Sequence, residues 1–136
     1  MVAENKDIRW KQRFQNFEKA FLLLKKAVSI DNPSEVERAG LIQFFEITFE
    51  LSWKLMADYL EELGFVANSP RDAIKFSIQA EIIKKGHLWM DALKDRNLTV
   101  HTYEEEAALE IEKRIKEYYI HGFIELYNFI RNKIEV

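Results

Sequence analysis

The sequence predicts an all-α fold, an up-and-down antiparallel bundle of four to five helices. Three observations predict it: apolar residues recur every three or four positions, alternating strand patterns are missing, and only four glycines and two prolines interrupt the 136 residues. With 48% apolar residues and no repeat or linker, the chain has enough material for one core. We therefore expect one domain over residues 1–136, with its core at about 7–130 and frayed termini.

The first helix is predicted to begin near Asp7 and to bury one face. Charged residues lie off its apolar line, which is typical of an amphipathic helix. The apolar positions are Trp10, Phe14, Phe17, Phe21, Leu24 and Val28.

The second helix has clear start and stop signals. Asn32 can cap it, Pro33 suits the first helical position and Glu35 the first turn, and the helix can run to Leu63, where Gly64 stops it. Two adjacent apolar stripes on this helix are together too wide for one neighbouring helix, so this face belongs in the middle of a bundle or at a subunit interface. The stripes are Ile42, Phe45, Phe49, Trp53, Met56, Leu60 and Leu63, and beside them Leu41, Phe44, Leu51, Leu55 and Tyr59.

A third helix repeats the same start signals. Ser69 is the expected cap, Pro70 the first helical residue and Asp72 the first-turn acid, and the apolar period continues to an end near Gly86. Residues 87–96 are predicted to form a short fourth helix.

The last long helix follows a predicted turn or loop at residues 97–101, which have weak helix preference. Thr102 can cap this helix, and the glutamates at 104–106 fit its first turn because they complement the helix dipole. We expect residues 131–136 to fray. The apolar period passes through Ala108, Ile111, Ile115, Tyr118 or Tyr119, Gly122, Leu126 and Phe129.

Composition excludes several classes of function. The chain has no cysteine, which removes disulfides, thiolate metal sites and cysteine nucleophiles. Its N-terminus lacks the apolar core of a signal peptide, and no run approaches the ~20 apolar residues that cross a bilayer, so we expect a cytoplasmic protein with no membrane contact. The net charge of −3 means that any contact with nucleic acid must come from a local basic site.

Three histidines are the candidates for acid–base chemistry. His87 at a helix boundary and His121 within the last helix are expected to have structural roles, and no spacing predicts a metal site or a cofactor. His101 differs because it lies in the predicted loop, with Arg96 at the end of the preceding helix and Asn97 between them. Arginine offers a fork of donors that matches a phosphate, and histidine can transfer protons near neutral pH, so the three residues together suit a phosphodiester.

A simpler interpretation of the same segment remains open, because an Arg-x4-His spacing by itself is common in charged proteins. Arg96 can pair with an acidic side chain, for which Asp91 and Asp95 are near in sequence, while His101 caps a helix. The aromatic stripes are likewise interpreted as core rather than as base-stacking platforms.

Three blocks of sequence resemble a known family. The first reads Phe45-Glu46-x-Thr48-Phe49-Glu50-Leu51-x-Trp53-Lys54, followed by Asp58-Tyr59-Leu60 and Gly64; the second reads Ser69-Pro70-Arg71-Asp72-Ala73; the third runs from Trp89 through Arg96-Asn97-x3-His101-Thr102-Tyr103. Together they resemble the HEPN superfamily of helical-bundle proteins, specifically the nucleotidyltransferase substrate-binding proteins. The resemblance spans roughly residues 8–130.

The resemblance implies a four- or five-helix bundle that forms a homodimer and works with a separately encoded minimal nucleotidyltransferase, often as a toxin–antitoxin pair. In HEPN proteins the arginine and histidine are associated with metal-independent RNA cleavage, and these roles carry over to Arg96 and His101, with Asn97 as the polar residue after the arginine. In related pairs AMP is transferred to the tyrosine of the motif, here Tyr103. A bulky phosphate-bearing group at that position would block the site.

A dimer would also complete the chemistry of RNA cleavage, because one chain offers only one suitable histidine and the reaction needs both a proton acceptor and a proton donor. A two-fold axis near the loop would bring Arg96 and His101 of both subunits into one cleft. The sequence leaves open whether the protein is a ribonuclease or a non-catalytic, nucleotide-binding subunit that presents substrate, or itself, to the nucleotidyltransferase. It does not resemble a nucleotidyltransferase itself, and its acidic residues at 104–106 favour the substrate-binding role.

Overall fold

The computed structural model describes residues 2–98 and 104–135, with side chains for residues 9–98 and 104–134. Every regular element in these ranges is helical, which confirms the all-α prediction. The elements are α1 (Val2–Val28), α2 (Glu35–Glu62), α3 (Pro70–Gln79), α4 (Gly86–Leu98), α5 (Glu105–Arg114), a π-helical turn (Ile115–Tyr119) and α6 (Ile120–Glu135).

The predicted apolar line of α1 faces the core and packs along α2. Phe17 and Leu24 are completely buried, whereas Val28 at the end of the helix is only half-buried. The amphipathic prediction for this helix is therefore confirmed.

Helix α2 is the central element, since it packs against α1, α3, α4, α5 and α6. Most of its two apolar stripes are buried by these neighbours, with Phe45, Phe49, Met56 and Leu60 fully enclosed. Leu63 is the exception at 49% exposed. The central position of α2 in the bundle therefore explains most of its wide apolar face without a second subunit.

The start of α2 differs from the prediction, because its cap is Ser34 and not Asn32. The Ser34 hydroxyl accepts from the Glu37 amide at 3.1 Å, and the Glu37 carboxylate accepts from the Ser34 amide at 2.8 Å. This reciprocal capping box satisfies two amide groups that the helix leaves without partners. Asn32 instead has a positive φ of 48° in the preceding turn.

Helix α3 begins as predicted, with the Ser69 hydroxyl accepting from the Asp72 amide at 3.1 Å, but it ends at Gln79 and not near Gly86. The chain reverses there because Glu81 adopts a positive φ of 61° and the Ile82 amide donates to the Ser77 carbonyl at 2.8 Å. This is the hydrogen-bond pattern of a Schellman motif.

Helix α4 continues two residues beyond its predicted end, so Asn97 and Leu98 are helical and do not belong to the expected loop. The remainder of that loop, 99–101, and the predicted cap Thr102 lie outside the described residues.

The last predicted helix is a continuous rod formed by α5, the π-helical turn and α6; we call it the C-terminal rod. Glu105 and Glu106 are in its first turn as predicted, while Glu104 occupies the cap position. The helix continues to Glu135, through most of the segment that is expected to fray. Arg131 pairs there with Glu18 of α1 at 3.0 Å, which ties the end of the rod to the bundle.

Candidate functional site

Two of the four predicted site residues lie in the last turn of α4. Arg96 is half-buried, with 38% of its side chain exposed, and Asn97 points to solvent. His101 and Tyr103 lie outside the described residues. The structure therefore describes the arginine half of the predicted motif.

Arg96 forms an ion pair with a carboxylate of α2. Its Nη2 atom lies 3.3 Å from Glu50 Oε2, and the other oxygen of Glu50 lies 3.5 Å from Nζ of Lys54, one helical turn further along α2. The simpler interpretation expected an acidic partner for Arg96 and named Asp91 and Asp95 as near in sequence. An acidic partner is present, and it comes from the neighbouring helix.

Two cations thus share one carboxylate at this point of the surface, and Glu50 is 35% exposed. The trio carries one net positive charge on a chain whose total is −3. The planar guanidinium fork matches phosphate oxygens, and a lysine ammonium adds a point charge. This arrangement suits a single phosphate group better than a long polyanion.

Asp95, the residue before Arg96, is buried and belongs to a separate cluster with Arg114 and Tyr119. Its Oδ2 accepts from Nε of Arg114 at 2.6 Å, its Oδ1 accepts from Nη2 of Arg114 at 3.2 Å, and the phenol of Tyr119 also donates to Oδ2. Burial, together with the neighbouring Asp95 carboxylate, raises the pKa of Tyr119. The hydrogen bonds to Asp95 raise the pKa of Arg114. The cluster therefore consists of a carboxylate held by two groups that keep their protons.

A cavity of about 400 Å³ lies between the first half of α2 and the start of α5. Its walls combine apolar side chains with the carboxylates of Glu35, Glu46 and Glu105. Arg38, the basic residue among the lining side chains, is paired with Glu112 at 2.7 Å. The acidic lining repels anions, so this cavity is unsuited to a phosphate.

Glu50 and Lys54 belong to the first block of the family resemblance, which assigns them no role. Their spacing of four on one helix was a usable signal for an ion pair. The cluster at Asp95 gave a weaker signal: Asp95 falls in register with Leu88 and Ala92 on the buried side of α4.

The described residues contain no group of three acidic, histidine or cysteine side chains placed to hold a metal ion. Within the same residues, no helix has the length and apolar character needed to cross a membrane.

Comparison with known proteins identifies the family. The model of the family described as "Nucleotidyltransferase substrate binding protein like" matches residues 12–132. The chain belongs to this family. Its HEPN-type bundle also resembles a crystal structure of a protein from Thermus thermophilus, with a TM-score of 0.75, 32% identity, and coverage of 88% of this chain and 99% of that chain.

A curated relative is the Haemophilus influenzae protein named "Probable ribonuclease HepT". It is 32% identical over 92 residues, and the match covers 60% of this chain and 60% of that protein. The chain thus aligns with a little over half the length of this relative.

Proposed function

We propose that this chain is the substrate-binding partner of a separately encoded minimal nucleotidyltransferase, and that Arg96, Asn97 and His101 form a phosphate or RNA site in the cleft of a homodimer. The observation that carries the proposal is the position of Arg96. It lies half-exposed at the end of α4, inside the span that matches the family, with its guanidinium beside Glu50. A guanidinium at a surface edge can present its donor fork to a phosphate.

The local charge supports a small anion as the ligand. Lys54 brings a second cation to within 3.5 Å of Glu50. On the acidic side, Glu46 lies one turn before Glu50 on α2 and lines the cavity together with Glu105. Acidic side chains around a cationic centre oppose the binding of a long polyanion. This pattern favours the substrate-binding role over a broad grip on RNA.

Residual apolar surface on α2 supports the homodimer. Val36 is 82% exposed and Ile47 is 40% exposed on the outer side of this helix. Light scattering on the purified protein should give twice the chain mass of 16.2 kDa. A stable mass of 16.2 kDa at micromolar concentration would contradict the dimer.

A second candidate function is metal-independent RNA cleavage, and the name of the Haemophilus influenzae relative favours it. In this reaction His101 would take the proton of a ribose 2′-hydroxyl while its oxygen bonds to phosphorus, and the bond to the 5′-oxygen breaks as that oxygen receives a proton from His101 of the second subunit. Arg96 would stabilise the charge on the phosphate. Each such proton transfer typically raises the reaction rate by ~10²–10⁴-fold.

Partner binding is tested directly by co-expression with a minimal nucleotidyltransferase encoded in the neighbouring reading frame. We expect the two proteins to co-purify at a fixed ratio. Absence of a complex when both are expressed would refute the paired role, and absence of such a gene would weaken it.

RNA integrity and growth then separate the two functions. We compare wild type, His101→Ala and Arg96→Ala with matched controls His121→Ala and Arg71→Ala, which remove an exposed histidine and an exposed arginine elsewhere. If the protein cleaves RNA, the first two variants lose cleavage and the controls keep it. Cleavage that persists in His101→Ala would refute the catalytic role.

Silencing by the partner would proceed by attack of the Tyr103 phenol oxygen on the α-phosphorus of ATP, with loss of pyrophosphate and of the phenolic proton. Mass spectrometry after incubation with the partner and ATP should show an AMP adduct in wild type and none in Tyr103→Phe. An adduct that remains in Tyr103→Phe would refute this acceptor.

A further inference from the structure

The last turn of α4, residues 95–98, is anchored in the bundle by an unusual residue. The buried side of α4 passes through Leu88 and Ala92 to Asp95, so an aspartate stands where the helical period calls for an apolar side chain. Asp95 is 7% exposed, while Asn97 and Leu98 face solvent. The anchorage of this turn therefore depends on how the Asp95 carboxylate is bound.

Both oxygens of that carboxylate accept hydrogen bonds from the C-terminal rod. Arg114 donates Nε to Oδ2 and Nη2 to Oδ1, at 2.6 and 3.2 Å, and Tyr119 adds its phenol to Oδ2. A buried carboxylate is unfavourable unless it is paired and hydrogen-bonded, and these three bonds meet that requirement. The bidentate pair between Arg114 and Asp95 also fixes the orientation of the last turn of α4, which apolar packing at the same position would leave free.

The π-helical turn makes this contact possible. Tyr119 is its last residue, is 1% exposed and stacks on Phe45 of α2. The preceding Tyr118 donates to Asp91 at 3.4 Å, so two consecutive tyrosines contact acids one turn apart on α4. Single π turns inside α-helices occur frequently at functional sites.

We infer that Asp95, Arg114 and Tyr119 form a clasp that positions Arg96, and that Asp95 is thus a positioning residue of the phosphate site. The inference rests on the proposed function and deepens it. Arg96 directly follows Asp95, so any rotation of this turn that releases Asp95 also moves the guanidinium relative to Glu50. The clasp therefore fixes the orientation of the Arg96 guanidinium relative to Glu50 and to a bound phosphate.

The test uses a spectroscopic signal of Arg96 itself. In ¹⁵N-labelled protein the Arg96 Nε–H signal is assigned by its loss in Arg96→Lys. Tyr119→Phe removes one donor from the clasp, and Arg114→Lys keeps the charge but removes the fork. The matched control Tyr127→Phe removes a phenol that donates to Glu18 at 2.6 Å, elsewhere on the same rod.

We expect the Arg96 signal to shift in Tyr119→Phe and in Arg114→Lys and to stay unchanged in Tyr127→Phe, at equal helicity by circular dichroism. Titration with inorganic phosphate, followed by the same signal, should give a several-fold higher Kd in the two clasp variants than in wild type and the control.

An unchanged Arg96 signal in both clasp variants would overturn the inference, even if wild type binds phosphate. If the signal shifts in both clasp variants but wild-type Arg96 responds to neither phosphate nor a short RNA, the positioning stands and the proposed function fails. Should Tyr119→Phe not fold, Arg114→Lys decides the question alone.

Discussion

Gly122 lies where α6 passes against α4, and its replacement by alanine should destabilise the fold. A Cβ atom at this position would lie 2.4 Å from Leu88 Cδ2 and 3.4 Å from the Trp89 ring. Carbon atoms in contact are ordinarily about 3.5–4.0 Å apart. Leu88 and Trp89 are 2% and 0% exposed, so the leucine has little room to withdraw.

The magnitude follows from two opposing effects. Alanine in a helix interior is favoured over glycine by about 1 kcal/mol. Overpacking of a dense core costs about 1–3 kcal/mol. The net expectation for Gly122→Ala is a free energy of unfolding lower by about 1 kcal/mol, which lowers the Tm of a domain of this size by roughly 4 °C.

Gly40 in α2 provides the matched control, because no neighbouring described atom lies within 4 Å of its Cβ position. Gly40→Ala should therefore raise stability by about 0.5–1 kcal/mol. Urea denaturation of both variants measures the difference. In a Leu88→Ala background, Gly122→Ala should lose its destabilising effect. Equal stabilisation by the two glycine substitutions in the wild-type background would refute this reasoning.

Polar contacts at two other places lead to two further predictions. Burial alone would raise the pKa of Glu112, but hydrogen bonds from Lys116 and Arg38 outweigh it and lower the pKa, so Glu112→Gln should cost about 2 kcal/mol at pH 7. A carboxylate whose pKa is lowered in the folded state stabilises the fold at pH values above the ordinary glutamate pKa. The difference in free energy of unfolding between wild type and Glu112→Gln should therefore shrink as the pH falls through the folded-state pKa. A difference in urea denaturation that stays constant to acid pH would contradict this prediction. Ser69→Ala should cost about 1 kcal/mol by losing the bond to the Asp72 amide, whereas Ser69→Asp keeps the cap; equal Tm values for the two variants would contradict this.

The helical core was predictable because burial leaves a period in the sequence. Phe17, Leu24, Phe45 and Phe49 all fall on the predicted stripes and are fully buried. The width of the α2 face was equally clear, but width alone does not tell whether helices of the same chain or a second subunit cover it. The tertiary arrangement answers that for most of the face, since five helices surround α2.

Helix ends were predicted less well, because several residues nearby carry the same signals. Asn32 and Ser34 are both good caps, and the reciprocal bond of Glu37 three residues after Ser34 selects the latter. The end of α3 was misplaced for another reason: Ile82 and Ile83 are buried and continue the apolar period, yet they lie past the end of the helix, which stops at Gln79. Burial without helical backbone is invisible to a periodicity argument.

The sequence likewise indicates only part of the candidate site. Arg96 and Asn97 could be proposed from the sequence because they belong to a contiguous motif, whose other members, His101 and Tyr103, lie outside the described residues. The partner Glu50 is 46 positions away in the chain, and Arg114 is 19 positions from Asp95. Contacts over such separations depend on helix packing, which local sequence patterns do not record.

The choice left open between Tyr118 and Tyr119 has a physical origin. The buried positions Ile111, Ile115, Tyr119 and Phe123 follow one another in steps of four. Four residues of an α-helix turn about 40° beyond a full circle, so three such steps would rotate the buried face by about 120° away from the core. The π-helical turn absorbs this drift and keeps Phe123 in the core while it brings Tyr119 to Asp95. A run of buried residues in steps of four is therefore a sequence signal for a π-helical turn. In this chain that turn places Tyr119 against Asp95, the residue next to Arg96.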